Sequence, residues 1–189
     1  MAVKTFTTGE VLTASDTNTY LANSGLVYVS SKTWTSTSSA QQIDSCFTST
    51  YDNYRIVISV TTGSGSPNNV YMRFVDGTTP DTGNVYGSNV TTSNGVTGLT
   101  NTWTGIVGQL YVGYAADLTG FMTIDLANPQ VSGKVTAINA FGSGFGNSTQ
   151  LVSTIYGLTT STTQYEGIYI YPGGGTWAGT CTVYGNRKA

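Results

Sequence analysis

The sequence predicts an all-β chain, an antiparallel β-sandwich of the jelly-roll type with a short N-terminal anchoring arm that carries the one helix candidate. Three observations carry this. Apolar and β-branched residues alternate with polar ones through eight or more segments, the period of a half-buried strand. Clusters of Gly, Asn, Ser and Pro separate those segments at regular intervals. After residue 25 no stretch shows apolar residues at helical spacing, and no exact internal repeat suggests a solenoid or propeller.

Residues 1–25 stand apart. Thr13 or Ser15 is placed to cap a short helix carrying Asn18, Tyr20, Leu21 and Ala22, ended near Asn23-Ser24-Gly25. Phe6, Val11, Leu12, Tyr20 and Leu21 are too many apolar residues for a free tail. They predict an arm that docks, on a neighbouring subunit in preference to its own domain. Residues 26–189 form the predicted sandwich. Leu26–Ser30 and Lys32–Ser36 read as strands, and Gln41–Phe47 leads into the run that organises the chain, Tyr51–Val60. There Tyr54, Ile56, Ile58 and Val60 share one face, and Arg55, Val57 and Ser59 the other. After the turn at 63–69, Val70–Val75 returns. Asp76–Asn101 reads as a long polar loop holding one short strand, Asn84–Tyr86. Ile106–Tyr114, Leu118–Leu126, Lys134–Phe141, Gln150–Leu158, Gly167–Pro172 and Gly179–Gly185 complete the strands.

The totals narrow the function. A chain of 189 residues suits one domain with a real core. Charged residues make up 8%, against about a quarter in soluble proteins generally. Thr, Ser, Gly, Asn and Tyr replace them, giving a neutral, hydroxyl-rich surface common in extracellular or particle-bound β proteins. The net charge of −2 argues against nucleic acid. Arg187-Lys188, the one adjacent cation pair, reads as a solvated C-terminus. No apolar stretch is long enough to span a membrane. Met1–Ser15 lacks the apolar centre of a secretion signal, which predicts folding in a cytoplasm. Cys46 and Cys181 read as two buried thiols; pairing of the first and last strands would make a disulfide the alternative.

Catalysis finds little support. There is no histidine, so the usual nucleophile–base pairing and histidine-containing zinc sites are excluded. Asp44, Asp52, Asp76, Asp81, Asp117, Asp125 and Glu166 are the candidates for a glycosidase pair. Most sit in or beside turns, where Asp caps backbone. Asp76 and Asp81 flank a Gly/Pro turn that reads as an ordinary turn before it reads as a Ca²⁺ loop. No cofactor is expected. Aromatic residues remain: thirteen Tyr and three Trp. Tyr86, Trp103, Tyr165 and Trp177 lie in polar or Gly-rich surroundings, where a ring is placed either to stack on a sugar or receptor or to cover its own loop.

The opening Phe6-Thr7-Thr8-Gly9-Glu10-Val11-Leu12-Thr13-Ala14-Ser15-Asp16-Thr17-Asn18 resembles the start of many tailed-phage structural proteins, fibre and minor virion proteins in particular. The Tyr-x-Asn-Tyr-Arg-Ile strand after a Phe-Thr-Ser turn, Phe47 to Val57, and the closing Gly179–Gly185 strand resemble small jelly-roll proteins of marine and cyanobacterial phages. The resemblance covers both ends and the organising strand. It implies a non-enzymatic virion protein assembled in the host cytoplasm, with no catalytic residues to carry over. The expected location is a tail fibre or tail-associated appendage, as a homotrimer contacting other phage structural proteins. Its loops at 76–103 would be presented distally, toward a host-surface glycan. A capsid decoration or spike protein and a carbohydrate-binding module are the rival readings. Neither nucleic acid nor membrane insertion is expected.

Overall fold

The computed structural model describes residues 7–11, 13–16, 25–64, 68–94, 98–116, 119–146 and 149–187. The organising run lies within β3 (Tyr51–Gly63), and its alternation is obeyed. Tyr54, Ile56, Ile58 and Val60 are buried, whereas Arg55 and Val57 are half-buried and Ser59 is exposed. β3 pairs with β9 (Thr119–Ala127) on one side and β13 (Trp177–Arg187) on the other, and β13 pairs with β1 (Leu26–Thr37). The opposing layer runs β2 (Gln41–Ile43), β12 (Gly167–Pro172), β4 (Asn68–Asp76), β8 (Leu110–Ala115). The order 1-13-3-9 facing 2-12-4-8 is the double Greek key of a jelly roll. The predicted fold class is the observed one.

Two insertions widen this frame. Between β4 and β8 lie β5 (Thr79–Pro80), β6 (Tyr86–Asn94) and β7 (Gly98–Val107). Between β9 and β12 lies the hairpin of β10 (Ala137–Gly146) and β11 (Thr149–Thr159). β10 pairs with β9, β11 with β6, and β6 with β7, so one layer grows to eight strands. Every strand pairing is antiparallel.

Three expectations are corrected here. The two opening strands are one, β1, kinked by register shifts after Tyr28 and after Trp34. Asp76–Asn101 is no loop: most of it is the β6–β7 hairpin, held by backbone pairing such as Val90 with Thr102. Ile106–Tyr114 is not one strand: the chain leaves β7 at Val107 and enters β8 at Leu110, in the other layer. In the arm, Ala14–Asp16 make a single helical turn. Thr13 caps it, its Oγ1 accepting from Asp16 N–H at 3.1 Å while Asp16 Oδ2 accepts from Thr13 N–H at 3.2 Å. The expected continuation through Tyr20, Leu21 and Ala22 lies outside the described residues.

The core fills the space between the layers. Trp34 packs on Trp177 at 4.5 Å, Phe47 on Tyr54 at 4.7 Å and Phe74 on Tyr165 at 4.8 Å between ring centroids. Cys46 and Cys181 are buried and unpaired, so the free-thiol reading holds. Burial pushes the Cys46 thiol up to about 12 and raises that of Cys181 as well.

Candidate functional site

Three of the four rings singled out for receptor contact are core residues. Tyr86 and Tyr165 are 0% exposed and Trp177 is 1% exposed. Each polar tip has an internal partner. The Tyr86 hydroxyl accepts from Phe74 N–H at 3.0 Å and donates to the Asp81 carbonyl at 3.1 Å. The Tyr165 hydroxyl donates to Asp81 Oδ2 at 2.8 Å, and Trp177 Nε1 donates to the Ser39 carbonyl at 3.3 Å. Partners elsewhere in the chain satisfy these tips, 84 residues away for Tyr165 and 138 for Trp177, so polar surroundings in sequence did not mark surface. The backbone of Trp103 pairs with Asn89 in the β6–β7 hairpin; its side chain lies outside the described part. Of the anchoring set, Val11 is 78% exposed, and Phe6, Leu12, Tyr20 and Leu21 lie outside the described residues.

Among the described acidic residues, Asp125 and Asp81 are held by structural partners, and Asp117 lies outside the described residues. Asp125 takes a bidentate contact from Arg55, directly opposite in β3: Nε to Oδ1 at 2.7 Å and Nη2 to Oδ2 at 2.8 Å. Asp81 Oδ1 accepts from Gly83 N–H at 2.8 Å, the closed turn expected of Asp in that position. Among the described residues no three His, Cys, Asp or Glu side chains gather as a metal site would need.

Two surfaces stand out instead. The first is the outer face of β9, β10 and β11. Phe121, Phe141, Phe145, Tyr156 and Leu158 point outward there, each 42–58% exposed. They stand among Thr123, Asn139, Ser143 and Thr154. Across the sequences of these three strands Asp125 is the one charged residue, and Arg55 neutralises it. A flat, uncharged, phenylalanine-rich sheet face is unusual on a protein that stays alone.

The second surface is a row of tyrosines on the outside of the smaller layer. Period two puts Tyr169 and Tyr171 of β12 and Tyr71 of β4 outward, with Tyr71 opposite both Tyr171 and Tyr111. Tyr111 and Tyr114 of β8 are three residues apart, so a regular strand would send them to opposite faces. A bulge prevents this: Val70 pairs with Gly113 and Tyr71 with Tyr111, leaving Val112 extra. Gly113 makes the bulge with φ of +148°. A Cβ there would lie 2.5 Å from Met122 Cγ, so no other residue fits. Neighbouring ring centroids along the row are 5.5, 5.7, 6.5 and 5.4 Å apart.

The row ends in a cleft of about 430 Å³, inside the ~300–1,000 Å³ usual for small-molecule sites. Tyr71, Tyr111 and Tyr114 form one wall; Val90, Thr92 and Thr102 of the β6–β7 hairpin form the other. Val107, Gly108 and Gln109 close one end. Arg73 fixes that end by donating from Nε to the Gly108 carbonyl at 2.8 Å, and its guanidinium lies 5.3 Å over the Tyr171 ring. The Tyr171 hydroxyl donates to Gln109 Oε1. The Tyr111 hydroxyl is enclosed without a well-formed hydrogen bond, with Tyr114 and Ser153 as its polar neighbours. Burial raises the Tyr111 and Tyr171 phenols, so both are protonated at neutral pH.

Sequence reasoning missed this cleft. Its one signal was Gly113 inside a strand pattern, a mark of a bulge. Compared with protein-family models, with curated proteins and with solved structures, the chain matches none.

Proposed function

We propose that the protein is a non-enzymatic structural protein of a tailed-phage virion, carried on a tail fibre or tail-associated appendage. Residues 1–25 anchor it, and copies of the jelly-roll domain assemble, as a homotrimer, through the β9–β11 face. The observation that carries this reading is that face: five large apolar side chains in the open, on three strands whose one charged residue, Asp125, is paired with Arg55. Fully burying a Phe or Leu side chain is worth about 1.5–3 kcal/mol, so covering the patch with copies of itself supplies a substantial association energy. The resemblance of residues 6–18 and of the organising strand to phage structural proteins supplies the setting.

Light scattering on the purified chain tests the assembly: a trimer mass is expected, reduced to monomer by Phe141→Ser with Phe145→Ser. A monomeric wild type would overturn it. Deleting residues 1–22 leaves a folded trimer that no longer enters phage particles. Label found on the capsid lattice instead of the tail would overturn the location.

A further inference from the structure

We infer that the tyrosine row and its cleft form a binding site for a neutral oligosaccharide. The inference does not depend on how the domain assembles, because Val90, Thr92 and Thr102 line the cleft from the inner face of the broad layer, sharing the side of the buried Ser153 and Ile155, whereas the β9–β11 patch is on its outer face.

The chemistry of the lining selects the ligand class. Pyranose rings present apolar C–H faces and a rim of hydroxyls. Aromatic rings match the faces, and amides and hydroxyls match the rim. Tyr71, Tyr111 and Tyr114 supply the first; Asn69, Gln109, Thr92 and Thr102 supply the second. The amides are already oriented. Asn69 donates from Nδ2 to the Tyr71 hydroxyl at 3.0 Å, which leaves its Oδ1 as an acceptor. Gln109 receives the Tyr171 hydroxyl on Oε1, which leaves its NH₂ as a donor. Such prior fixing reduces the ordering cost of binding.

Charge excludes other classes. No described residue lining the cleft is charged. The nearest cation, Arg73, is engaged by the Gly108 carbonyl and by the Tyr171 ring. A phosphorylated or carboxylated ligand would therefore find no counter-charge. The row of four inter-ring steps extends the site beyond one residue, toward a chain of sugars laid across β8, β4 and β12.

The test uses the full chain on an array of neutral glucans, galactans, mannans and N-acetylhexosamine oligomers, followed by calorimetric titration with the best-bound oligomer. Binding is expected, at least tenfold weaker in Tyr114→Ala and in Gln109→Ala and unchanged in Lys134→Ala, an exposed side chain outside the cleft lining. Melting temperatures identify any variant that loses its fold. Gln109→Ala removes a half-buried amide and its bond from the Tyr171 hydroxyl, and decides the matter if Tyr114→Ala unfolds while this variant keeps its melting temperature. An array with no neutral oligomer bound, or a titration that Gln109→Ala leaves unchanged, overturns the site. Light scattering on the same samples reads assembly separately, so failure of one reading does not imply failure of the other.

Discussion

The core strands of the jelly-roll frame and the β10–β11 insert place their aromatic rings differently. In the frame, large residues point inward: Trp177, Tyr54, Ile56, Ile58 and Met72 are each 1% exposed or less. In the β10–β11 insert the aromatic residues Phe141, Phe145 and Tyr156 point outward with Leu158, while Ile138 and Ile155 are buried. Inward it presents Ala140, Gly142, Gly144 and Ser153. Small inward residues let β8 lie close against the broad layer. A Cβ at Gly142 would sit 2.8 Å from Gly113 Cα and 2.9 Å from Ser153 Oγ. That same close approach holds the bulge that turns Tyr114 beside Tyr111. The frame therefore supplies most of the packed core, and the β10–β11 insert supplies most of the exposed apolar face.

This contrast can be broken at graded points. Trp177→Ala removes a large frame side chain and should cost about 3–5 kcal/mol, read as a lower urea midpoint. Gly142→Val puts a large side chain inward in the insert. Backbone stands in its way, so a loss of about 3 kcal/mol is expected, at the upper end for overpacking. If it instead left the midpoint unchanged, the close approach of β8 would be wrong. Tyr86→Phe cuts the seam between insert and frame, leaving the buried Phe74 N–H without its acceptor. A cost of about 2 kcal/mol follows from the ~1–3 kcal/mol of an unsatisfied buried group. Phe141→Ser should change monomer stability by less than about 0.5 kcal/mol, as for other surface changes. A larger loss, measured on dissociated protein, would mean that the face is already covered within one chain.

The frame was legible in the sequence because burial on one face imposes strict alternation, as at Tyr54, Ile56, Ile58 and Val60. The β6–β7 hairpin was not. Its Asn89, Thr91, Thr92, Thr100 and Asn101 pair through backbone alone and carry no apolar rhythm. Ile106 seemed to continue into β8, yet it is 57% exposed and Gly108 breaks the run. Tyr86, Tyr165 and Trp177 misled for a related reason: local composition reports the company of a residue in the chain, and their company in space is Phe74, Asp81 and Trp34. The tyrosine-lined cleft was hidden because one bulge decides it, and periodicity cannot register a single extra residue.

Leu26 pairs with Asn186 and Trp34 with Gly179, so β1 enters and β13 leaves the sheet at one corner. Tension applied between residues 26 and 186 would unzip this pairing rung by rung, each rung resisting alone. Tension entering through residue 26 and leaving at the opposite end of the strands would load all the β1–β13 rungs together, in shear. The domain is thus mechanically strong when hauled by its leading end against a grip at the far end, and weak when stretched between its two ends.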